Sequence, residues 1–328
     1  MAGTPPPRRQ ARFILGLVLI LAALPLGYFL FLHQPPPPPT PPVAPKPPPV
    51  AEKPPEKPVE MQINELSGSV EVRRGDGQWE ELKPGMVLHA SDSLRTKDGS
   101  FASIMSDKVT VNMDPGTELA LKEVSNPLSR LLLGSGMATV SVRPGARHTI
   151  EVKAEGSDAV ARTSEGTFTM SNDGAGTVAV GSREGEVVFE GNGKVVIVRA
   201  GQQSVVRPGS GGPSEPVKIP SSLLRKVQWP DKRQNKREVI VQGEAEPGTR
   251  LEIAGTGETF SPGQDGAFKR TVLLKEGENE VKIKAVSVGG TRDEAGQKVV
   301  VDTTPPGKLK VKLPWDNPGG QAPPSPTP

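Results

Sequence analysis

Cysteine is absent from the 328 residues, so no structural disulfide, thiolate metal site or cysteine-linked lipid anchor is available. Aromatic residues are scarce, at 4%, with one tyrosine and three tryptophans. Forty basic side chains are offset by 37 acidic ones, so neither sign of charge is in large excess. No nucleic-acid partner is expected, because it calls for a basic face and stacking aromatics. Histidine is limited to His33, His89 and His148. A two-histidine metal site would need His89 and His148 to meet beside a carboxylate; ordinary surface histidines are the simpler reading. Gly-x-Ser-x-Gly, P-loop, His-Glu-x-x-His and dinucleotide glycine signatures are all missing. Asp173, Asp265 and Asp302 fall in turns or strand ends, without the dense acidic set of a calcium loop. No catalytic, cofactor-binding or metal-ligating residue is assigned, no cofactor is implied, and the chain reads as a non-enzyme.

Proline and glycine, 37 of each, are abundant and signal long non-globular stretches. Residues 1–12 carry only Arg8, Arg9 and Arg12 as charges and are read as a cytoplasmic tail. Phe13 to Leu32 follows without a charge, about 30 Å as a helix, which matches a bilayer core. The next lysine or arginine is Lys46, so the three arginines place the N-terminus inside and the bulk of the chain outside. No Ala-x-Ala-like site follows the apolar run, which favours an uncleaved anchor over a signal peptide. Residues 33–61 are a proline-rich stalk, reaching roughly 75 Å as polyproline II. A plain spacer and a ligand for a proline-recognition groove both remain open for it.

Beyond the stalk the pattern is β throughout. ATVSV, TFTM, TVAV, EVVFE and KVVIV lie between Gly134 and Gly201 as short runs of period two or rich in β-branched residues. Asp173-Gly174, Asn192-Gly193 and Arg143-Pro144-Gly145 supply tight turns, leaving no room for helices. Arg74-Gly75-Asp76-Gly77 reads as a hairpin tip and not as an adhesion motif. Leu128 to Leu133 lacks alternation and is either a helical turn or a buried strand. Residues 207–236 form a linker that is expected to let the flanking β-domains fold separately. It holds six basic side chains and one acid between Arg225 and Arg237, with Trp229 among them. A solvated connector and a surface for an anionic partner are the two readings. A second β-domain spans 237–304, and 305–328 is expected to be disordered.

The ordered pieces Gly68-Ser-Val-Glu-Val72, Leu94-Arg-Thr96, Asp98-Gly-Ser100, Met113-Asp-Pro-Gly-Thr117, Gly136, Gly166-Thr167-Phe168, Gly185-Glu-Val187 and Ala200-Gly201-Gln202 resemble the FecR-type domain of bacterial envelope proteins over residues 62–206. Gly136, Gly166, Thr167, Phe168, Gly185 and Gly201 are its structural signature here. Gly243-x-Ala245-x-Pro-Gly248, Asp265-Gly-x-Phe268 and Val301-Asp-x-x-Pro-Pro306 resemble bacterial immunoglobulin-like repeats. The expected fold is all-β: a short-stranded domain, two-layer or solenoid-like, then a β-sandwich, behind one N-terminal transmembrane helix. The FecR resemblance implies a membrane-spanning regulator that signals to a cytoplasmic sigma factor through a helical domain ahead of the membrane. About a dozen residues precede Phe13, too few for a core, so sigma binding is not carried over. The expectation is a single-pass protein of the bacterial inner membrane, a periplasmic scaffold or binding protein for an envelope protein or cell-wall polymer. A signalling adaptor and a cell-wall enzyme are the alternatives.

Overall fold

The computed structural model describes residues 9–31 and 60–305. Arg8, stalk residues 33–59 and the tail from 306 onward lie outside the described residues, as do the side chains of Arg9 and Arg12. Two compact units divide the chain, Met1–Glu56 and Lys57–Pro328. The first contains one helix, Arg9–Phe31, with Pro25 inside it. From Phe13 to Leu30 this helix is long and apolar enough to cross a membrane. Its large side chains, from Phe13 to Leu30, are exposed all round.

The second unit begins with two sheets packed face to face. In the first sheet the order is Val87–Leu88, Met61–Ser67, Phe101–Met105, Val109–Met113, then residues 136–142, Gly166–Asn172, Val178–Glu184, Gln202–Val206 and Val217–Lys218. In the second it is Trp79–Glu81, Val70–Arg74, Asp92–Thr96, Glu118–Val124, then residues 128–135, Thr149–Ala154, Val160–Thr163, Glu186–Gly191 and Lys194–Arg199. After Val142 the chain lays down one hairpin per sheet in turn, which makes the arrangement both two-layered and solenoid-like. Alternate residues of both sheets point inward, and Phe168 and Phe189 are the largest side chains fully buried between them.

One strand, Leu128–Val142, belongs to both sheets. Its first half pairs with Glu118–Val124 and Thr149–Ala154; its second half pairs with Val109–Met113 and Gly166–Asn172. The non-alternating leucines are thus strand: Leu131 and Leu133 face the core while Leu132 faces outward, half-buried. Between the halves, Gly136 has φ +93°, and a Cβ there would collide with the backbone and side chain of Thr117. Asn172, fully buried, fixes this bend by donating from Nδ2 to the carbonyls of Leu133 (2.9 Å), Gly134 (2.9 Å) and Glu155 (3.1 Å). Such a satisfied buried amide specifies the crossing point, because leaving any of those carbonyls unpaired is costly.

A second sandwich follows. Leu224–Gln228, Glu238–Ala245 and Ala267–Leu273 form a three-stranded sheet. Arg233–Gln234, Arg292–Val301, Gly277–Val286, Arg250–Ile253 and Thr259–Phe260 form a five-stranded one. Val241, Leu251, Ile283 and Val299 fill the core between them. The stretch 207–236, read from sequence as a linker, is built into both sandwiches. Val217–Lys218 extends the first, and Leu223 is fully buried in the second, where Asp293 accepts hydrogen bonds from the Leu223 and Leu224 amides (2.9 and 3.1 Å). Trp229 packs against the same core. Segments of two to five residues are too short for periodicity to reveal.

The two sandwiches are docked, and do not merely follow one another. Outward positions of the first sheet form two cross-strand rows of mostly small residues: Met137, Ser171, Ala179 and Val205, then Thr139, Thr169, Gly181 and Gln203. Met137 and Ala179 pack with Val288 of the second sandwich in a buried apolar patch. At Gly181 the approach is backbone to backbone: a Cβ would lie 2.8 Å from the Val288 carbonyl carbon and oxygen. Ser171 donates to the Gly248 carbonyl at 2.9 Å. Half-buried Arg250 spans the rim, its Nη2 donating to the carbonyls of Pro115 (3.2 Å) and Gly116 (3.0 Å) and to Thr259 Oγ1 (2.9 Å). Thr259 Oγ1 donates in turn to Asp98 at 2.8 Å.

Candidate interaction surface

The outer face of the second sheet carries no other part of the described β-region. Register fixes what it presents. One cross-strand row runs Glu123, Arg130, Glu151, Arg162, Val188, Ile197. Its first four members alternate in sign and are ion-paired: Arg130 to Glu123 (2.7 Å) and Glu151 (3.4 Å), Arg162 to Glu151 (2.9 Å). The row ends at the last strand on an apolar pair. Val188, Ile197 and neighbouring Val195 are 36%, 43% and 54% exposed. At the opposite edge Trp79 is covered by the guanidinium groups of Arg73 and Arg95, 4.7 and 4.2 Å from its ring. Arg95 also binds Glu71, and Lys97 joins at 3.1 Å. The Arg95 hydrogen bond, against some desolvation and with help from Lys97, holds the Glu71 carboxyl below the usual carboxylate range.

Electrostatics on the docked face have the opposite character. Burial raises the Asp114 carboxyl above its ordinary value, with Arg183, Arg250 and Arg292 opposing. Burial also pushes the Arg250 guanidinium down, against the pull of Asp98 and Asp114. Away from the docked face, His148 is buried beside Ser129, Nε2 to Oγ 3.1 Å. Desolvation chiefly, with repulsion from Lys108 and against attraction from Asp107, lowers its imidazole below the ordinary value.

The residues singled out from sequence fall into separate roles. Gly136, Gly166, Gly185 and Gly201 all stand where the chain turns from one sheet to the other, each with positive φ. At Gly166 a Cβ would run into the Glu184 carbonyl of the neighbouring corner. Thr167 is outward-facing and half-buried, bonded to Ser141 (3.1 Å); Phe168 is core. Arg74 to Gly77 is an exposed turn, closed by the Gly77 amide on the Arg74 carbonyl at 3.0 Å. Asp173, Asp265 and Asp302 cap their own turns through hydrogen bonds to the amides of Ala175, Ala267 and Thr304. His89 is exposed and His148 buried; among the described residues no three of His, Cys, Asp and Glu converge on a metal position. Of the basic stretch, Arg225 pairs with Glu246, whereas Lys226, together with Lys269 of a neighbouring strand, flanks a shallow groove of about 390 Å³ over Gln228, Gln242 and Gly243, which Glu244 also lines. The charged row and the apolar edge were not singled out from sequence. KVVIV reads as a strand from its sequence, yet whether it is internal or terminal in its sheet depends on topology.

No curated protein matches the chain. Two crystal structures described as a "putative anti-sigma factor" from Parabacteroides distasonis, at 1.65 and 2.50 Å resolution, are similar at 16% and 17% identity, each with TM-score 0.32. Each alignment covers 39% of this chain and 58% of the other, so the match spans little more than half of those proteins. The family model described as FecR protein matches residues 92–188, a narrower span than 62–206, taking in the shared strand and most of both sheets. Residues 92–188 are a FecR domain.

Proposed function

We propose that this chain is a non-catalytic adaptor of the bacterial envelope, held at the inner membrane by its N-terminal helix with the β-region in the periplasm. In this role it engages another envelope component through the open face of its FecR domain. The observation that carries the reading is a FecR domain downstream of an apolar helix long enough to cross a membrane. Arg8, Arg9 and Arg12 support a cytoplasmic N-terminus. The second sandwich is read as immunoglobulin-like. Its strand order supports this: the first strand pairs with the second in one sheet, and a continuation at Arg233–Gln234 crosses to run parallel with the last strand in the other. The docked face already has its occupant, which leaves the charged row as the surface for a partner.

Photo-crosslinking in cells at Arg162 tests this. The expected product is one defined envelope partner, lost when Arg130 and Glu151 are charge-reversed; no product other than self, or a cytoplasmic one, overturns it. A reporter enzyme fused after Pro306 is expected to work only if it is of the kind active outside the cytoplasm. A second reading, direct binding of an anionic cell-wall polymer, is favoured by Lys226 and Lys269 at their groove. It predicts retention on purified cell-wall material that is lost on replacing both lysines with glutamine.

A further inference from the structure

Lys194–Arg199 pairs on one side only, with Glu186–Gly191, and forms the last strand of its sheet. The other edges of the FecR-type sandwich are blunted. Val87–Leu88 and Val217–Lys218 are two residues long, and Trp79–Glu81 is three, capped by its arginines. Long apolar edges are otherwise avoided, because their free backbone groups recruit another strand. Here the edge offers Val195 and Ile197, with Val188 beside them, all exposed.

The backbone phase of this edge is set by its hairpin. Asn192 and Gly193 both have positive φ (49° and 74°), a type I′ two-residue turn with Gly191 opposite Lys194. Alternation then directs the amide and carbonyl of Lys194, Val196 and Val198 to the hairpin partner, and those of Val195 and Ile197 outward. We infer that the occupant of this edge is a second copy of the same strand, running antiparallel about a two-fold axis through Val196. In that register Val195 of each copy pairs with Ile197 of the other, using the outward backbone groups of both.

Side chains and charges fit the same register. The outer face gains two rows, each reading Val188 and Ile197 of one copy, then Val195 and Glu190 of the next, so all three exposed apolar residues are covered twice. Lys194 stands opposite Val198 and Arg199 opposite Gly193, so no like charges face each other. Both are also neutralised within their own copy, Lys194 by Glu215 (2.8 Å) and Arg199 by Glu186 (3.0 Å). Such a contact is isologous and closes at two copies. The open faces of two FecR domains then join as one continuous surface.

The absence of cysteine makes the register directly readable. Full-length chains carrying Val195→Cys and Ile197→Cys are co-produced in membranes and oxidised, and disulfide dimers are counted on non-reducing gels. Opposite residues in a hydrogen-bonded antiparallel pair lie about 5.5 Å apart, within disulfide reach. The mixed pair is expected to give several-fold more dimer than either variant alone, and adding Ile197→Lys to the Val195→Cys chain and Val195→Lys to the Ile197→Cys chain, which sets two lysines opposite each other at the other 195/197 pair, should abolish it. Equal cross-linking by Glu80→Cys at the opposite edge, no dimer from a mixed pair that remains protease-resistant, or capture of a different protein in place of self would each overturn the inference.

Discussion

The two outer faces of the FecR-type sandwich arise from the same alternation of residues, yet they differ in every physical respect. On the docked face the outward rows are mostly serine, threonine, alanine and glycine, with Met137, Val205 and Gln203 among them. Small side chains keep the surface nearly flush, and the second sandwich comes within backbone contact at Gly181. On the open face the corresponding row holds glutamate and arginine in register, ending in valine and isoleucine. Long charged chains hold a neighbour away unless it brings matching charge. Outward composition, not strand pattern, thus separates the face packed against the second sandwich from the face left open.

The largest expected effect lies between the faces and serves as the reference for both. Phe168 is fully buried where the two sheets meet. Phe168→Ala should destabilise the protein by about 3–5 kcal/mol, the usual cost of removing a buried aromatic. Urea unfolding with an unchanged slope would register it. A loss below about 1 kcal/mol would place the ring at the surface, against its observed burial.

Next comes the clamp on the docked face. Arg250→Met removes three hydrogen bonds from a half-buried guanidinium, including both to the Pro115 and Gly116 carbonyls. A loss of about 2 kcal/mol is expected. More tellingly, scanning calorimetry should show one transition becoming two as the sandwiches uncouple. A wild-type protein that already melts in two steps would show that docking contributes little, and that the connector leaves the domains independent.

Much of this comparison could be read in the sequence, but not its decisive part. The runs at ATVSV, TFTM, TVAV, EVVFE and KVVIV are strands, and the glycines chosen as signature sit at the sheet-to-sheet corners, because both depend on local backbone geometry. The shared strand was obscure because Leu132 faces outward among core leucines. Docking was hidden for a different reason: Gly181, Ala179 and Val288 look like any strand or turn residues until topology brings them together. The same holds for the charged row, whose members come from five strands between residues 123 and 188 before it reaches Ile197.

Acid should shift the two faces in opposite directions. Asp114, at the docked face, has its folded pKa raised from 3.8. It binds protons more readily folded than unfolded, so its contribution is most favourable below 3.8 and is lost as pH rises through the folded value. Glu71, on the open face, is lowered from 4.5, so its contribution is present above 4.5 and lost as pH falls through its folded value. At neutral pH Asp114→Asn should therefore raise the melting temperature and Glu71→Gln lower it. Both differences should shrink as each group protonates. Two variants shifting the same way at neutral pH would contradict the contrast between the faces.

The smallest effect is the most discriminating. Arg162 binds Glu151 through Nη2 and Nε at 2.9 and 3.1 Å, but its side chain is 45% exposed. Water screens such a pair, and ordering both chains offsets part of the attraction. A double-mutant cycle with alanine at both positions should give a coupling of about 0.2–1 kcal/mol. Glu151 is also 3.4 Å from Arg130, so removing Arg162 leaves the carboxylate one partner and keeps the coupling at the low end of that range. Salt separates the faces most cleanly. At 1 M ionic strength the screening length falls to about 3 Å, and the Arg162 coupling should largely vanish. The loss caused by Arg250→Met, made through direct hydrogen bonds in a part-buried rim, should persist. If both respond equally to salt, the docked face is as wet as the open one and the distinction between them fails.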